Sequence, residues 1–237
     1  MGIFGIVAKP MGWLLTLIYG FVGSYGVALL ILTFIVKGGL YPLYARQIKS
    51  TAAMTSIQPK MKEIQKKYAD DKQMMNQKMS ELYKEEGFNP AGGCLPMLIQ
   101  MPIIMGLFAL LRNPMNYIED ENMLFAIHES FLWIKDLSQP DLWILPIMAG
   151  IATFISFSMM QSLNTGGGAN QGQMMQAVMK YFFPLSILWL ARSYPAGLAI
   201  YWFSSQFIQI FINIRMNKLR DKMKESQGTK NKKKSKK

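Results

Sequence analysis

The chain has 237 residues, of which 51% are hydrophobic, and a formal net charge of +12. This composition argues against a single soluble domain, because so much apolar surface rarely accompanies so much net charge in one. A membrane protein can combine the two by confining its charges to loops and chain ends.

The first twenty residues form an apolar segment that carries one charge, Lys9. Pro10 and Gly12 are expected to break any helix that starts at residue 1. The segment 11–20 contains Trp13 and Tyr19, which favour a membrane–water interface. We therefore predict that residues 1–20 form an outer interfacial segment with a short helix over 11–20.

Uncharged stretches long enough to cross a membrane recur along the rest of the chain. A spanning helix needs about 20 predominantly apolar residues, and no Asp, Glu, Lys or Arg occurs in 11–36, 87–111, 142–179 or 193–214. The loop "LNTGGGANQGQ" divides the third stretch into two spans. A soluble helical bundle is disfavoured, because soluble helices normally keep a polar face. The predicted fold class is an all-α polytopic membrane protein with five transmembrane helices, at 21–43, 91–111, 142–161, 175–192 and 196–215.

The charges between these spans alternate in sign along the chain. Residues 44–90 contain nine Lys or Arg, and the chain from Arg215 to its end contains eleven. The segment 112–141 is acidic, since beyond Arg112 it has only Lys135 against six carboxylates. Basic loops favour the cytoplasmic side. We therefore expect a multi-pass protein of the bacterial plasma membrane, with its N-terminus outside, its C-terminus in the cytoplasm, an extracytoplasmic loop at 112–141 and a cytoplasmic loop at 162–174.

The segment 44–90 is predicted to be a cytoplasmic helical hairpin. Its apolar residues recur at spacings of three and four, which is typical of helices that pack along a seam; they are Met54, Ile57, Met61, Ile64, Tyr68, Met75, Met79 and Leu82. The sequence "ADD" supplies a turn and a helix N-cap from Asp70 or Asp71. Pro59 is expected to kink the first arm or to mark its restart.

The basic tail at 216–237 is too polar after Ser226 to bury a core, so we expect it to be disordered there. Anionic lipid headgroups attract such segments, and ribosomal RNA attracts them through its phosphates. The sequence leaves both partners open. The candidate contact residues are Lys218, Arg220, Lys232, Lys233 and Lys234.

The sequence lacks the motifs of enzymatic chemistry. The single histidine, His128, lies in the acidic loop, and the single cysteine, Cys94, excludes an internal disulfide and a multi-cysteine metal site. The stretch "TGGGANQG" lacks the Lys-Ser/Thr pair of a phosphate-binding loop. We predict no enzyme activity, no cofactor and no metal.

Lys37 is unusual because it lies within the first predicted span. A Lys at the centre of a membrane helix costs about 2.5–3.5 kcal/mol on insertion scales. The side chain could stretch to headgroups at the cytoplasmic end. Alternatively it could face a water-containing cavity, which polar residues of other spans favour. These are Gln100, Ser204, Ser205 and Gln206, together with Thr33 one turn before Lys37.

Four stretches carry a resemblance to a known family. The sequences "TFIVKGGLYPL", "QPKMKEIQKKYADDKQMMNQKMSELYKEEGFNPAGGCLPMLIQMPI", "FLWIKDLSQPDLWILPIMAG" and "FFPLSILWLARSYPAGLAIYW" resemble the YidC/Oxa/Alb family of membrane protein insertases. The resemblance covers about residues 13–218. It is to the bacterial members with five spans and no large extracytoplasmic domain.

This resemblance implies five helices around a hydrophilic groove that opens to the cytoplasm and to lipid. The groove would receive the hydrophilic tail or loop of a nascent membrane protein and release its apolar segment sideways into lipid. By position, Lys37, Thr33, Gln100, Trp202 and Ser205 match groove sites of the family. The family's groove cation is usually Arg, so Lys37 keeps the charge but loses the bidentate fork.

The resemblance also implies a hydrophobic slide on the third and fifth spans, for which Met148, Phe154, Phe203 and Phe207 are candidates. The implied partners are nascent membrane proteins, the ribosome, the Sec translocon and anionic lipids. Two other functions stay open: a chaperone that only folds helices beside the Sec translocon, and a small-solute channel or transporter.

Overall fold

The structure, a computed structural model, describes residues 5–87, 95–163 and 177–234, and these ranges contain helices but no β-strand. We number the α-helices in chain order. They are α1 Gly5–Val22, α2 Tyr25–Lys67, α3 Lys72–Glu85, α4 Leu95–Arg112, α5 Glu121–Ala126, α6 Ile144–Leu163, α7 Phe183–Ala191 and α8 Ala196–Lys234. A 3-10 turn, Pro114–Asn116, follows α4, and a π-helical segment, Val178–Phe182, leads into α7. The predicted all-helical fold class is confirmed.

The apolar helices agree with the predicted spans to within a few residues at most ends. Among the described residues, three stretches are long and apolar enough to cross a membrane: Gly5–Val22, Tyr25–Ala45 and Ala196–Lys218. Three further apolar stretches are shorter: Gln100–Arg112, Ile144–Met160 and Val178–Ala191. Because α1 is itself long enough to span, the count of five transmembrane helices stays a prediction.

The predicted helix break near the N-terminus is wrong. Helix α1 runs from Gly5 to Val22 with Pro10 inside it, although a proline removes one backbone hydrogen bond. Packing outweighs this loss, since Ala8 and Leu15 are fully buried. Gly12 serves that packing, because a Cβ atom there would lie 3.0 Å from the carbonyl oxygen of Tyr117.

The predicted hairpin is present, formed by the C-terminal part of α2 and by α3. Asp71 is the N-cap of α3, and its carboxylate accepts a hydrogen bond from the Met74 amide at 2.9 Å. Ile57, Met61 and Leu82 form the buried seam between the arms. Helix α2 passes through Pro59 without ending, so the predicted restart at this proline does not occur.

The tail predicted to be disordered after Ser226 is helical to Lys234, so that prediction is wrong. Lys, Arg, Met, Glu and Gln, which dominate the last part of α8, are strong helix formers. The contact roles predicted for the basic side chains of this segment remain predictions. Lys218 is exposed, whereas the side chains of Arg220 and of residues 232–234 lie outside the described residues.

The apolar helices pack side by side. Helix α1 contacts α2 and α4, α2 contacts α8, and α6 contacts both α7 and α8. We call the end of the bundle at residues 113–143 the loop side, and the end from which the hairpin extends the hairpin side. Tyr25, Leu29, Leu107 and Tyr201 are fully buried within the bundle.

The acidic loop caps the helices that begin on the loop side. One oxygen of Glu129 accepts a hydrogen bond from the Tyr25 amide at 2.8 Å, at the start of α2, and the other accepts from the Tyr19 hydroxyl of α1. Asp141 accepts from the amides of Trp143 at 2.9 Å and Ile144 at 3.2 Å. These carboxylates satisfy orphan backbone donors and lie at the positive ends of the helix dipoles.

The first amides of α8 are satisfied by loop carbonyls. Ala196 donates to Gln139 at 2.9 Å and Gly197 donates to Leu137 at 3.0 Å. Three helices that start on the loop side are therefore tied to one loop.

Replacing Asp141 with Ala tests this capping. The variant leaves the first amides of α6 without their acceptor, and it also removes the acceptor of the Trp133 indole, which donates to Asp141 at 2.8 Å. We expect a loss of about 1 kcal/mol in the free energy of unfolding, measured as a lower midpoint of thermal unfolding in detergent. Glu119→Gln is the matched control, because Glu119 is an exposed carboxylate of the same loop.

The effect of Asp141→Ala should depend on pH. Burial alone would raise the pKa of Asp141. Hydrogen bonds from the Trp133 indole and from the backbone amides of residues 143–145 lower this pKa by more, so it lies below its ordinary value. Such a carboxylate stabilises the fold above its unfolded pKa of about 3.9, and the contribution is lost as pH falls through the folded pKa. The difference between parent and variant should therefore narrow below about pH 4; a constant difference would contradict the capping role of the charge.

Candidate functional site

Lys37 is buried in the bundle, with 4% of its surface exposed. Its ammonium group donates to the Tyr44 hydroxyl at 3.3 Å, to Gln100 Oε1 at 3.2 Å and to Gln209 Oε1 at 3.2 Å. These three acceptors match the three donors of an ammonium group. Within the described part of the chain, no Asp or Glu lies within ion-pair distance of Lys37.

The contacts of Lys37 extend into a network that joins four helices. Gln209 Nε2 donates to Asn213 Oδ1 at 3.1 Å, and Asn213 Nδ2 donates to the Ser156 carbonyl at 3.1 Å. Lys37 and Tyr44 lie on α2, Gln100 on α4, Gln209 and Asn213 on α8, and Ser156 on α6. We call these six residues the polar network.

Helical periodicity brings these side chains to common faces. Lys37 and Tyr44 are seven residues apart, which is close to two turns of α2. On α8, Gln209 follows Ser205 by four residues and precedes Asn213 by four. The sequence prediction missed Tyr44, Gln209 and Asn213, although this spacing was a usable signal for all three.

Gln100 Nε2 and the Tyr201 hydroxyl are both buried beside the network, and they interact with each other without reaching full hydrogen-bond geometry. The site therefore combines a positive charge that has no carboxylate partner among the described residues with a weakly paired polar contact between Gln100 and Tyr201.

The other predicted groove residues, Thr33, Ser205 and Trp202, are not among the hydrogen-bond partners that the described residues give Lys37. Thr33 is fully buried, and its hydroxyl donates to the Leu29 carbonyl at 2.7 Å. Ser205 is buried on α8. Trp202 lies outside the network, since its indole donates to Thr153 Oγ1 on α6 at 3.0 Å.

The predicted slide residues lie on two helices, Phe203 and Phe207 on α8 and Met148 and Phe154 on α6. Phe203 and Phe207 stack on α8 with ring centroids 6.0 Å apart, and Phe211, which the prediction missed, continues the row at 5.1 Å. Phe154 lies on α6 and faces Tyr181, with their centroids 6.0 Å apart. Met148 is half-buried on α6.

Two apolar pockets lie apart from the polar network. One, of about 200 Å³, is bounded by α4, α7 and α8 and lined by residues that include Phe108, Tyr194 and Trp202. The other, of about 320 Å³, lies between α6 and α7 beside Phe154 and Tyr181. Neither pocket is lined by Lys37, so the charged site and the apolar recesses are separate features.

The chemistry of the site is electrostatic and hydrogen-bonding. The described residues contain no group of three His, Cys, Asp or Glu side chains placed to hold a metal ion. His128 lies in the loop, where its Nδ1 is 3.2 Å from Asp136 and 3.0 Å from the Ser138 hydroxyl. Both contacts involve the same ring nitrogen, which is not the relay of a nucleophilic triad.

The chain resembles known membrane proteins over most of its length. The family model described as the 60Kd inner membrane protein matches residues 17–226. A relative named membrane protein insertase YidC, from Oceanobacillus iheyensis, is 40% identical over 220 residues, which cover 90% of this chain and 82% of the relative. A protein of the same name from Haemophilus influenzae is 41% identical over 205 residues, which are 86% of this chain but 35% of that protein.

A solved structure has a similar fold. The crystal structure of an active YidC insertase with its first transmembrane domain resolved superposes with a TM-score of 0.62 at 28% identity. The match covers 90% of this chain and 46% of the other. This chain thus spans less than half of that protein and about a third of the Haemophilus relative.

Replacing Gln209 with Leu tests the polar network. The variant removes one acceptor of a buried cation and leaves Asn213 without its donor. A hydrogen bond to a charged group contributes about 1.5–3 kcal/mol, so we expect a loss of that order in the free energy of unfolding, measured by thermal unfolding in detergent.

Gln206→Leu is the control for Gln209→Leu, because Gln206 lies on the same helix and outside the network. Equal effects of the two changes would show that amide loss on α8, rather than the network, determines stability.

Proposed function

Since the chain belongs to the family of the 60Kd inner membrane protein, in which the relatives above are membrane protein insertases, we propose that this multi-pass membrane protein inserts other membrane proteins into the lipid bilayer. The observation that carries the proposal is the polar network, in which the partners of a buried cation among the described residues are all neutral. Such a site can attract an acidic or polar segment of a substrate.

The charge of Lys37 supplies the attraction. Two opposite unit charges 4 Å apart interact by about 4 kcal/mol at an effective dielectric constant of 20. A carboxylate in the tail of a substrate would gain part of this energy beside Lys37, and it would replace neutral acceptors that give the cation no counter-charge. The weakly paired Gln100 amide and Tyr201 hydroxyl support the same role, because a polar segment would offer them hydrogen bonds of better geometry.

The energy for insertion comes from the substrate itself. Burial of apolar surface contributes about 25 cal/mol per Å², which amounts to tens of kcal/mol for a whole membrane helix. This gain exceeds the cost of moving a short tail through a polar site. The proposed activity therefore requires no nucleotide and no covalent chemistry.

The groove and the slide are assigned as follows. Lys37, Gln100 and the buried Thr33 and Ser205 line the groove that receives the hydrophilic tail. The row Phe203, Phe207 and Phe211 on α8 forms the apolar path into lipid, which the exposure of Phe207 and Phe211 supports. Trp202 links α8 to α6 and fixes the relative position of the two helices.

We further propose that the hairpin side is cytoplasmic and the loop side extracytoplasmic, in the plasma membrane of a bacterium. The distribution of Lys and Arg supports this orientation. The basic extension of α8 would then meet anionic lipid headgroups or the ribosome, and the hairpin would meet substrates or the Sec translocon.

Substitution of Lys37 tests the function directly. In proteoliposomes that contain only this protein, Lys37→Ala and Lys37→Glu should slow insertion of a single-span substrate with an acidic tail. A loss of 1.4 kcal/mol corresponds to tenfold in rate, and we expect about tenfold or more. Lys37→Arg should preserve insertion, because it keeps the positive charge.

A substrate with a neutral tail separates the charge effect from general damage to the fold, since it should be affected less by Lys37→Ala. Lys180→Ala is the matched control, because Lys180 is another lysine within an apolar helical segment and lies outside the polar network. Its ammonium group lies over the Tyr181 ring, 5.2 Å from the ring centroid. Equal insertion of both tails by all variants would overturn the role of Lys37.

A further inference from the structure

The tight turn Phe131–Ile134 on the loop side exposes two large apolar side chains. Phe131 and Ile134 exchange backbone hydrogen bonds of 2.9 Å in each direction. Between them, Leu132 is 76% exposed and Trp133 is 44% exposed.

The backbone of this turn is unusual. Leu132 has a φ angle of 54°, and it is the one non-glycine residue with positive φ in the described ranges. A bulky side chain is disfavoured in this left-handed region, where Gly, Asn or Asp normally occur. A leucine that is both exposed and in an unfavourable conformation is not explained by packing within the chain.

The turn is attached to the loop-side ends of two membrane helices. The Phe131 ring lies against Gly26 at the start of α2, where a Cβ atom would meet the ring at 2.2 Å. The Trp133 indole donates to Asp141, which caps α6. Along the helix axes, the turn therefore lies level with the starts of α2 and α6, where we expect the boundary between membrane and water.

Neighbouring side chains have the chemistry of a membrane interface. Trp143, at the start of α6, is exposed, and the Arg192 guanidinium lies over its ring at 4.4 Å. Lys135 follows the turn and is exposed. Tryptophan and basic residues at this level are typical anchors to lipid headgroups.

We propose that the turn Phe131–Ile134 inserts Leu132 and Trp133 into the phospholipid leaflet on the loop side. The occupant of this apolar surface is lipid at the boundary between headgroups and acyl chains. The anchored loop holds the N-terminal ends of α2, α6 and α8 at the membrane surface, because its carboxylates and carbonyls cap all three. This anchoring does not depend on the insertase activity.

A fluorescent label on single-cysteine variants tests the proposal in proteoliposomes of the full chain. Cys94 is replaced by Ser, and the environment-sensitive dye NBD is attached to Leu132→Cys. Two reference positions complete the set. Glu119→Cys lies in a run of three acidic residues, so a label there gives the fluorescence expected in water. Phe211→Cys lies on the apolar part of α8, so a label there gives the fluorescence expected in lipid.

We expect the label at position 132 to emit at shorter wavelength than the label at 119, to lose most of its quenching by iodide, and to be quenched by spin-labelled lipid as at 211. Iodide quenching equal to that at 119 would overturn the proposal. A blue-shifted label that spin-labelled lipid does not quench would also overturn it, because a protein surface would then cover the turn.

A second variant separates membrane contact from folding. Leu132→Asn removes the apolar side chain, and asparagine tolerates positive φ, so the turn should fold at least as well. With the label at Lys135→Cys, Leu132→Asn should increase quenching by iodide while thermal unfolding in detergent is unchanged or shifts upward. Unchanged iodide quenching would contradict insertion of Leu132.

Discussion

The buried ammonium group of Lys37 is the constraint on which the arrangement of the helices depends. A buried cation without enough hydrogen-bond acceptors costs several kcal/mol, and here three acceptors come from two turns along α2, from α4 and from α8. The side-chain amide of Gln209 also needs an acceptor, which Asn213 supplies. Asn213 in turn donates to the Ser156 carbonyl, so the network continues to α6. The position of one charge thus sets how four helices meet.

The loop side and the interior of the bundle differ in their charges. On the loop side, carboxylates and carbonyls of one loop satisfy the helix N-termini, so this end presents few open backbone donors. Within the bundle, the positive charge of Lys37 has no carboxylate in the described part of the chain. A polar segment that enters from the hairpin side would meet attraction at the network and a capped surface beyond it. This asymmetry is the physical basis of the proposed capture of a substrate tail.

Apolar periodicity predicts most of the membrane helices and the seam of the hairpin, whereas contacts between helices far apart in the sequence cannot be predicted from it. The apolar stretches located α4, α6, α7 and α8, the Asp71 cap was read from its turn, and Lys37 and Gln100 were both identified. The spacing of Tyr44 and Gln209 indicates which helix faces they share with Lys37 and Ser205, but their meeting at one ammonium group depends on how α2 and α8 cross. The continuous α1 was missed for a related reason, since burial of Ala8 and Leu15 against neighbouring helices outweighs the local effect of Pro10.

The slide shows the same limit. Phe203, Phe207 and Phe211 share one helix face, where the first two rings stack and the last two meet edge to face, and their spacing of four residues predicts this contact. Phe154 also lies on an apolar helix, but the ring that it contacts is that of Tyr181, which its sequence position does not indicate. A single periodic pattern does not say which neighbour a helix face will meet.

The most direct test of the central claim leaves this protein unaltered and places a photo-crosslinker in the tail of a ribosome-stalled substrate, next to its acidic residue. After illumination in proteoliposomes, mass spectrometry locates the crosslinked residues. The account predicts crosslinks on both sides of the polar network, around Thr33–Tyr44 of α2 and around Trp202–Gln209 of α8. Crosslinks confined to lipid and to lipid-facing residues such as Phe211 would contradict it.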